Sequence, residues 1–136
     1  MPQRRAFRFE PLWWLDADTR AVEAFSALLA WIYAAVLLWP GDLFGQLSSY
    51  SVMAAIMAEG KWGAMFVFQG LLQSAAMCGN VRLLRYPSAI IAFFLWFFIG
   101  ACFWFANPQV VAAYFFFLIA AFMGWVISKG PPDGDR

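Results

Sequence analysis

The chain has 136 residues, of which 64% are apolar and only 12% charged, whereas soluble domains average roughly half apolar and a quarter charged residues. This composition excludes an ordinary water-soluble domain and predicts one transmembrane domain over 1–136, because no polar linker divides the chain. The net charge of +1 and the absence of histidine disfavour nucleic-acid binding and most catalytic or metal chemistry. We therefore expect no enzyme activity, no cofactor and no nucleic-acid partner.

The N-terminal segment combines arginines with aromatic residues before the first apolar run. This combination predicts a short interfacial helix whose arginines contact anionic lipid. An arginine pair also begins twin-arginine export signals, but acidic residues and tryptophans separate this pair from the first apolar run, so we expect an uncleaved segment. The predicted lipid-interface residues are Arg4, Arg5, Arg8, Trp13 and Trp14.

Four apolar runs are each long enough to cross a bilayer. At about 1.5 Å of rise per residue, roughly 20 residues cross a hydrocarbon core about 30 Å thick. The uncharged stretch from Tyr86 to Ser128 is about twice that length, and we divide it at Asn107-Pro108, because Asn-Pro favours a turn. The predicted spans are about 22–39, 62–80, 87–106 and 110–128.

The loop between the first two spans contains a second interfacial candidate. Apolar residues from Tyr50 to Met57 recur at roughly helical spacing and stop at Gly60, which predicts a short helix on the membrane surface. A barrel is excluded because the apolar runs do not alternate with polar residues. The predicted fold is all-α: an integral membrane four-helix bundle with short interfacial helices at the N-terminus and in the first periplasmic loop.

Basic residues lie almost entirely on one side of this predicted topology. The N-terminal segment, the loop between spans two and three, and the C-terminal tail hold all of them except Lys61. By the positive-inside rule, both termini are expected in the cytoplasm. In the loop after span two, Arg82 and Arg85 are predicted lipid-interface residues.

Small residues recur at every fourth position in three of the spans. In lipid, helices associate by close packing of such residues and by interhelical hydrogen bonds. We therefore expect these stripes to face the bundle interior. They are Ser26, Ala30 and Ala34 in span one, Gly70, Ser74 and Cys78 in span two, and Ala120, Gly124 and Ser128 in span four.

Three polar side chains within the spans need partners in a bilayer. Gln69 and Gln73 lie one turn apart, and we expect them to face protein and hydrogen-bond between helices, with a polar pathway as the alternative. Glu23 lies in the first turn of span one, where the positive helix end and an arginine neutralise it, with proton coupling as the alternative. The candidate arginines are Arg20, Arg82 and Arg85.

Several short motifs give the chain a likeness to a known group of proteins. They are Trp62-Gly63, Gly70-Leu71-Leu72-Gln73, Arg82-Leu83-Leu84-Arg85, Trp96, Asn107-Pro108 and Tyr114. In these motifs the chain resembles small uncharacterised multi-spanning membrane proteins encoded by tailed bacteriophages and prophages. The resemblance implies a bacterial host and the inner (cytoplasmic) membrane, and it brings no catalytic residues with it.

Three functions are open at this point. We expect first a non-enzymatic inner-membrane protein that acts through other membrane proteins or self-association, for example in superinfection exclusion or envelope modification. A holin-like pore-forming lysis protein is the alternative, favoured by chain size, aromatic content and the implied phage origin. A small proton-coupled transporter is third, because Glu23 lies nearer the membrane surface than the glutamate of four-helix multidrug transporters.

Overall fold

The computed structural model describes residues 19–78 and 82–129, apart from the side chains of Arg82 and Leu83. Every element in these two ranges is a helix. The predicted N-terminal interfacial helix, with its arginines and tryptophans, lies outside the described residues. In chain order the elements are α1 (Arg20–Leu38), α2 (Leu43–Gln46), a 3-10 turn (Ser48–Tyr50), α3 (Ser51–Ile56), α4 (Glu59–Cys78), α5 (Arg82–Ala106) and α6 (Val111–Ser128).

Three helices are long and apolar enough to cross a membrane: Arg20–Leu38, Leu84–Ala106 and Val111–Ser128. The all-α prediction is therefore confirmed for the described residues, and three of the four predicted spans meet this criterion. Although α4 has 20 residues, it does not meet the criterion. Its sequence carries two charged residues in its first turn and two glutamines in its middle.

The long uncharged stretch divides where the sequence predicts. α5 ends at Ala106, and in the turn that follows Asn107 Oδ1 accepts a hydrogen bond of 3.0 Å from the backbone N–H of Gln109. At its other end, α5 begins at Arg82, so the predicted start at Pro87 is five residues too late. Pro87 is the sixth residue of α5, where its missing N–H removes one backbone bond to the carbonyl of Leu83; prolines of this kind are tolerated within membrane helices.

The four long helices form two antiparallel hairpins that pack against each other. In the first hairpin, Gly63 of α4 lies against Leu38 at one end of α1, and Gln73 meets Ser26 near the other. α5 and α6 form the second hairpin, and the hairpins meet mainly through α4 and α5. We call the end where α1 and α5 begin the Arg85 end, and the opposite end the Asn107 end.

The core between the hairpins is largely aromatic. Trp62, Phe66, Trp96 and Phe116 are all buried. Trp96 stacks on Phe116 with ring centroids 5.8 Å apart and planes only 6° from parallel. Because lipid removes most of the hydrophobic drive between helices, such close ring packing supplies much of the attraction that joins them.

The connection between α1 and α4 folds over the Asn107 end. Glu59 Oε2 accepts a hydrogen bond of 3.2 Å from the backbone N–H of Phe44, and Trp62 Nε1 donates one of 3.0 Å to the carbonyl oxygen of Met53. The predicted surface helix is therefore only the short α3, and it buries Met53. The buried indole N–H of Trp62 needs an acceptor, and the Met53 carbonyl supplies it.

Candidate functional site

Most of the buried polar side chains lie between α1, α4 and α5, in the half of the bundle nearer the Arg85 end. They come from α1 with its N-cap residue, α4 and α5, and they form two hydrogen-bonded groups, each of which bridges between helices. We call this set the polar cluster. It comprises Thr19, Glu23, Ser26, Gln69, Gln73, Arg85, Ser88 and Trp96.

An ion pair joins α1 to α5 within the polar cluster. Arg85 donates from Nη2 to Glu23 Oε1 at 2.7 Å and from Nε to Glu23 Oε2 at 3.0 Å, which is the bidentate geometry that guanidinium and carboxylate groups favour. Thr19 Oγ1 donates to Glu23 Oε1 at 3.1 Å and accepts a 3.3 Å bond from Arg85. The carboxylate is thus bonded by both neighbours.

The predicted lipid-interface role of Arg85 needs correction. Its side chain is only 15% exposed, and that of Glu23 is 4% exposed. A buried carboxylate is costly unless a partner neutralises it, so the guanidinium turns into the bundle and away from the lipid surface. Among the side chains that the structure describes, Arg85 is the candidate arginine seen in an ion pair with Glu23, and the side chain of Arg82 lies outside them.

Ser26 is the junction of the polar cluster. Its Oγ donates a hydrogen bond of 3.1 Å to Gln73 Oε1 on α4 and accepts one of 2.9 Å from Trp96 Nε1 on α5. All three residues are buried. One small hydroxyl therefore connects three helices, and its position determines how far each helix can slide along the others.

The two glutamines both lie in the protein interior, but each keeps one unpaired atom. Gln69 Nε2 donates to the carbonyl oxygen of Ser88 on α5 at 3.2 Å. No hydrogen-bond partner reaches Gln69 Oε1 or Gln73 Nε2 within the described part of the chain. The two amides thus bond to different helices, Gln69 to α5 and Gln73 to α1.

The small-residue stripes are only partly interior. Ser26, Ala30 and Ala34 on α1 are buried, whereas Cys78 of α4 and Ser128 of α6 are exposed, and Ser74 and Gly124 are intermediate. A step of four residues turns an α-helix about 40° past a full turn, so such a stripe drifts off a straight interface. The buried members of the other two stripes are Gly70 and Ala120.

Two of these small residues make close contacts with aromatic rings. A methyl group added at Gly70 would lie 3.0 Å from the Trp31 ring, and one at Gly124 would lie 3.3 Å from Phe93. Trp31 Nε1 also donates to Ser74 Oγ at 3.2 Å. At these two positions the absence of a side chain makes room for an aromatic ring of a neighbouring helix.

Trp96, Ser88 and Thr19 are the members of the polar cluster that the sequence does not predict. Thr19 lies four residues before Glu23, a spacing that brings side chains together on a helix and was available from the sequence. No comparable signal identifies Trp96, because its indole reaches Ser26 across 70 positions of sequence. Only the tertiary arrangement of the helices brings Trp96 and Ser26 together.

The chemistry of the polar cluster is that of hydrogen bonding between helices. Within residues 19–78 and 82–129, no group of three acidic, cysteine or histidine side chains could hold a metal ion. Cys78 and Cys102 are both free thiols. Comparisons with protein-family models, with curated proteins and with solved structures find no match to this chain.

Proposed function

We propose that the chain is a bacterial inner-membrane protein of phage or prophage origin that acts without catalysis, through contacts with other membrane proteins. Superinfection exclusion and envelope modification are examples of such a role. The observation that carries the proposal is the inward direction of the polar side chains. The polar cluster joins α1, α4 and α5 from inside, while large apolar residues dominate the exposed surfaces of the long helices.

The packing of α4 supports a fourth crossing. With 20 residues, α4 is about 30 Å long, which matches the hydrocarbon core. It runs antiparallel along α1, from the Gly63 contact with Leu38 to the Gln73 bond with Ser26. Because α1 is itself a candidate span, a helix beside it at the same depth also lies in hydrocarbon. The glutamines that make α4 more polar are shielded from lipid.

The charge distribution supports an orientation with both termini in the cytoplasm. Four crossings put the start of α1 and the end of α6 on the same side, at the Arg85 end. Basic residues concentrate at that end of the topology, in agreement with the positive-inside rule. Lys129 Nζ lies 5.5 Å from the Trp125 ring centroid, and paired basic and aromatic groups of this kind suit a headgroup region.

The state of the polar groups favours a structural role over proton coupling or nucleophilic chemistry. Glu23 Oε1 and Oε2 accept three hydrogen bonds from Arg85 and Thr19. Ser26 Oγ is engaged by Gln73 and Trp96. A transported proton or an attacking nucleophile would first have to break these interhelical bonds.

A holin-like pore former is the second candidate, and the polarity of α4 is the observation that favours it. A helix lining a water-filled lesion needs a continuous polar face. Gln69 and Gln73 would provide such a face only if α4 separated from α1 and α5, because both amides are interior. Separation would also break the bond between Gln73 and Ser26.

Reporter fusions and membrane-potential measurements test the proposal together. Fusions after Cys78 and Lys129 should report the cytoplasm, and fusions after Gln46 and Asn107 the periplasm. A periplasmic report after Lys129 would contradict the four-span topology. The membrane potential is measured after the chain is expressed alone in a bacterial host.

Induction alone should leave the membrane potential intact and should not release a co-expressed cytoplasmic endolysin. A sudden loss of potential at a threshold of expression, abolished by Gln69→Leu with Gln73→Leu, would make the holin the better assignment. In a third experiment, photo-crosslinking groups are placed at the exposed residues Leu28 and Phe94. Adducts with host or phage membrane proteins at either position would support an interaction role. Adducts to lipid alone at both positions would contradict an interaction role.

A further inference from the structure

A groove opens at the Asn107 end of the bundle, between the end of α1, the short α2 and the first turn of α4. It encloses about 500 Å³. Ala35, Val36 and Leu43 give it apolar surface, and Trp39, which is 74% exposed, lines it where α1 ends. Because α1 is long and apolar enough to cross a membrane, the end of this helix lies at the headgroup level of a bilayer. The groove therefore lies at that level too.

Two acidic residues, Asp42 and Glu59, line this groove, which we call the acidic groove. Asp42 Oδ1 accepts a hydrogen bond of 2.9 Å from the backbone N–H of Gly45, and Glu59 Oε2 accepts one of 3.2 Å from the backbone N–H of Phe44. Because Phe44 and Gly45 are consecutive, the two carboxylates are neighbours. Within residues 19–78 and 82–129 neither carboxylate forms an ion pair, and the second oxygen of each accepts no hydrogen bond.

The end of α1 adds to the negative charge of the acidic groove. The last four carbonyl groups of a helix have no partner within the helix and carry its partial negative charge. α1 has no basic residue in its last turn, and Pro40, which follows the helix and lines the groove, has no N–H to donate. None of the described residues that line the groove is basic. Its own walls therefore leave this charge unbalanced.

These features suit an organic ammonium group better than a metal ion. No group of three possible metal ligands occurs among the described residues. The indole of Trp39 offers the ring face that attracts organic cations most strongly. A primary ammonium has three N–H donors for carboxylate oxygens, and its carbon chain can pack on Ala35 and Val36. At the headgroup level of a membrane, the abundant molecule with such a group is an amino phospholipid.

We propose that the acidic groove binds the primary ammonium group of a phospholipid headgroup, held by Asp42, Glu59 and the ring of Trp39. This inference goes beyond the proposed function, because it concerns a lipid ligand and requires no protein partner. It gives the chain a preference among lipids at the Asn107 end.

The test measures lipid binding to the full chain in neutral detergent micelles, in a sodium buffer free of amines. A fluorophore on Cys78, an exposed thiol at the opposite end of α4, allows binding to be followed by microscale thermophoresis. The probes are phosphatidylethanolamine, its N-acetyl derivative, which has lost the ammonium charge, and phosphatidylcholine, whose ammonium has no N–H donor. Propylamine serves as a soluble amine without a lipid.

Phosphatidylethanolamine should bind the wild-type chain about five- to tenfold more tightly than the N-acetyl derivative, with phosphatidylcholine in between. The double variant Asp42→Asn with Glu59→Gln should remove most of this preference. Its amide oxygens can still accept the hydrogen bonds from Gly45 and Phe44, so the fold of α2 is retained.

The indole of Trp39 is tested separately. Trp39→Leu should weaken phosphatidylethanolamine binding about two- to fivefold. Trp104→Leu, at an exposed tryptophan of the same end that does not line the groove, is the matched control and should bind like the wild type. Because Trp39 is largely exposed, this variant keeps the groove testable even if the double variant unfolds.

Three results would overturn the proposal. Equal binding of phosphatidylethanolamine and its N-acetyl derivative would show that the ammonium group is not recognised. Propylamine binding as tightly as the lipid would assign the groove to a soluble amine. Calcium binding that depends on Asp42 and Glu59, without lipid preference, would assign it to a metal ion. In each case, crosslinks to membrane proteins elsewhere on the surface would leave the proposed function standing.

Discussion

The two halves of the bundle are joined by different forces. Toward the Arg85 end, ion pairing and hydrogen bonding connect α1, α4 and α5 through Glu23, Ser26 and Gln73. Toward the Asn107 end, aromatic rings form a continuous contact path. Its successive members are Phe44, Tyr50, Phe103, Phe116 and Trp96, with ring centroids 4.9–5.8 Å apart.

This difference shows how a helical protein obtains specificity where water does not drive association. Hydrogen bonds in hydrocarbon are directional, so the polar cluster determines the register of the helices. Ring packing depends on shape and tolerates small shifts, so it provides area and fit. Substitutions in the two halves should therefore differ in how much stability they remove and in whether they change the register of the helices.

The largest effect is expected at the ion pair. Arg85→Ala leaves the Glu23 carboxylate buried without its partner, which should lower the free energy of unfolding by about 3–5 kcal/mol. Unfolding in mixed micelles by a denaturing detergent measures the change. The double variant Glu23→Gln with Arg85→Gln removes both charges and should recover a large part of the loss. A double variant as unstable as Arg85→Ala would show that the charge is not the cause.

The next effect is expected in the aromatic half. Phe116→Ala removes a ring that contacts Trp96, Tyr33 and Phe103. We expect a loss of about 2 kcal/mol, below the 3–5 kcal/mol typical of soluble cores, because lipid supplies no transfer term and only packing is lost. The neighbouring Phe115→Ala, at a half-exposed ring, is the matched control and should change stability little. An equally small loss in both variants would contradict the packing role assigned to Phe116.

A smaller effect is expected at the junction of the polar cluster. Ser26→Ala removes the donor to Gln73 and the acceptor for Trp96, and two buried hydrogen bonds of this kind amount to about 1 kcal/mol in a membrane bundle. Ser74→Ala removes one partly exposed bond to Trp31 and should cost less. Cysteine crosslinking between α1 and α4 should also show additional registers in Ser26→Ala, and a single unchanged register would contradict the role assigned to this hydroxyl.

The smallest effect is expected from pH at the Asn107 end. Burial raises the pKa of Tyr50; a hydrogen bond with Tyr33 lowers it, and Glu59 raises it further. A phenol with a raised pKa in the folded state contributes its stability below the ordinary tyrosine pKa of about 10 and loses it as the pH rises through the folded pKa. Tryptophan fluorescence should therefore report loosening only in alkali. Tyr50→Phe, which cannot ionise, should lessen that change, and an identical alkaline response in both proteins would contradict the assignment.

Much of the helical layout follows from the sequence, because it depends on local composition. The absence of charge from Tyr86 to Ser128, interrupted by Asn107-Pro108, is enough to predict α5, its end and α6. α4 is also predicted as a helix, over 62–80, but it is the one long helix in the described residues that does not meet the apolarity criterion for a span. Its glutamines reduce its apolarity, and their burial against Ser26 and Ser88 depends on helices that lie elsewhere in the chain.

The polar cluster could be predicted only in part. Glu23 and an arginine partner follow from the cost of a bare carboxylate near hydrocarbon, but three arginines were equally eligible. The choice of Arg85 depends on the early start of α5, which the proline at 87 conceals.

The ion pair also has a consequence for the order in which the protein is made. Glu23 and Arg85 are 62 positions apart, and synthesis adds roughly 5–20 residues per second, so Glu23 precedes its partner by about 3–12 s. During that time α1 leaves the ribosome with an unpaired carboxylate in its first turn. The α1–α4 hairpin can therefore form while Glu23 still lacks its partner, the ion pair forms only after α5 has started to emerge, and the early orientation of α1 depends on the arginines already synthesised ahead of it.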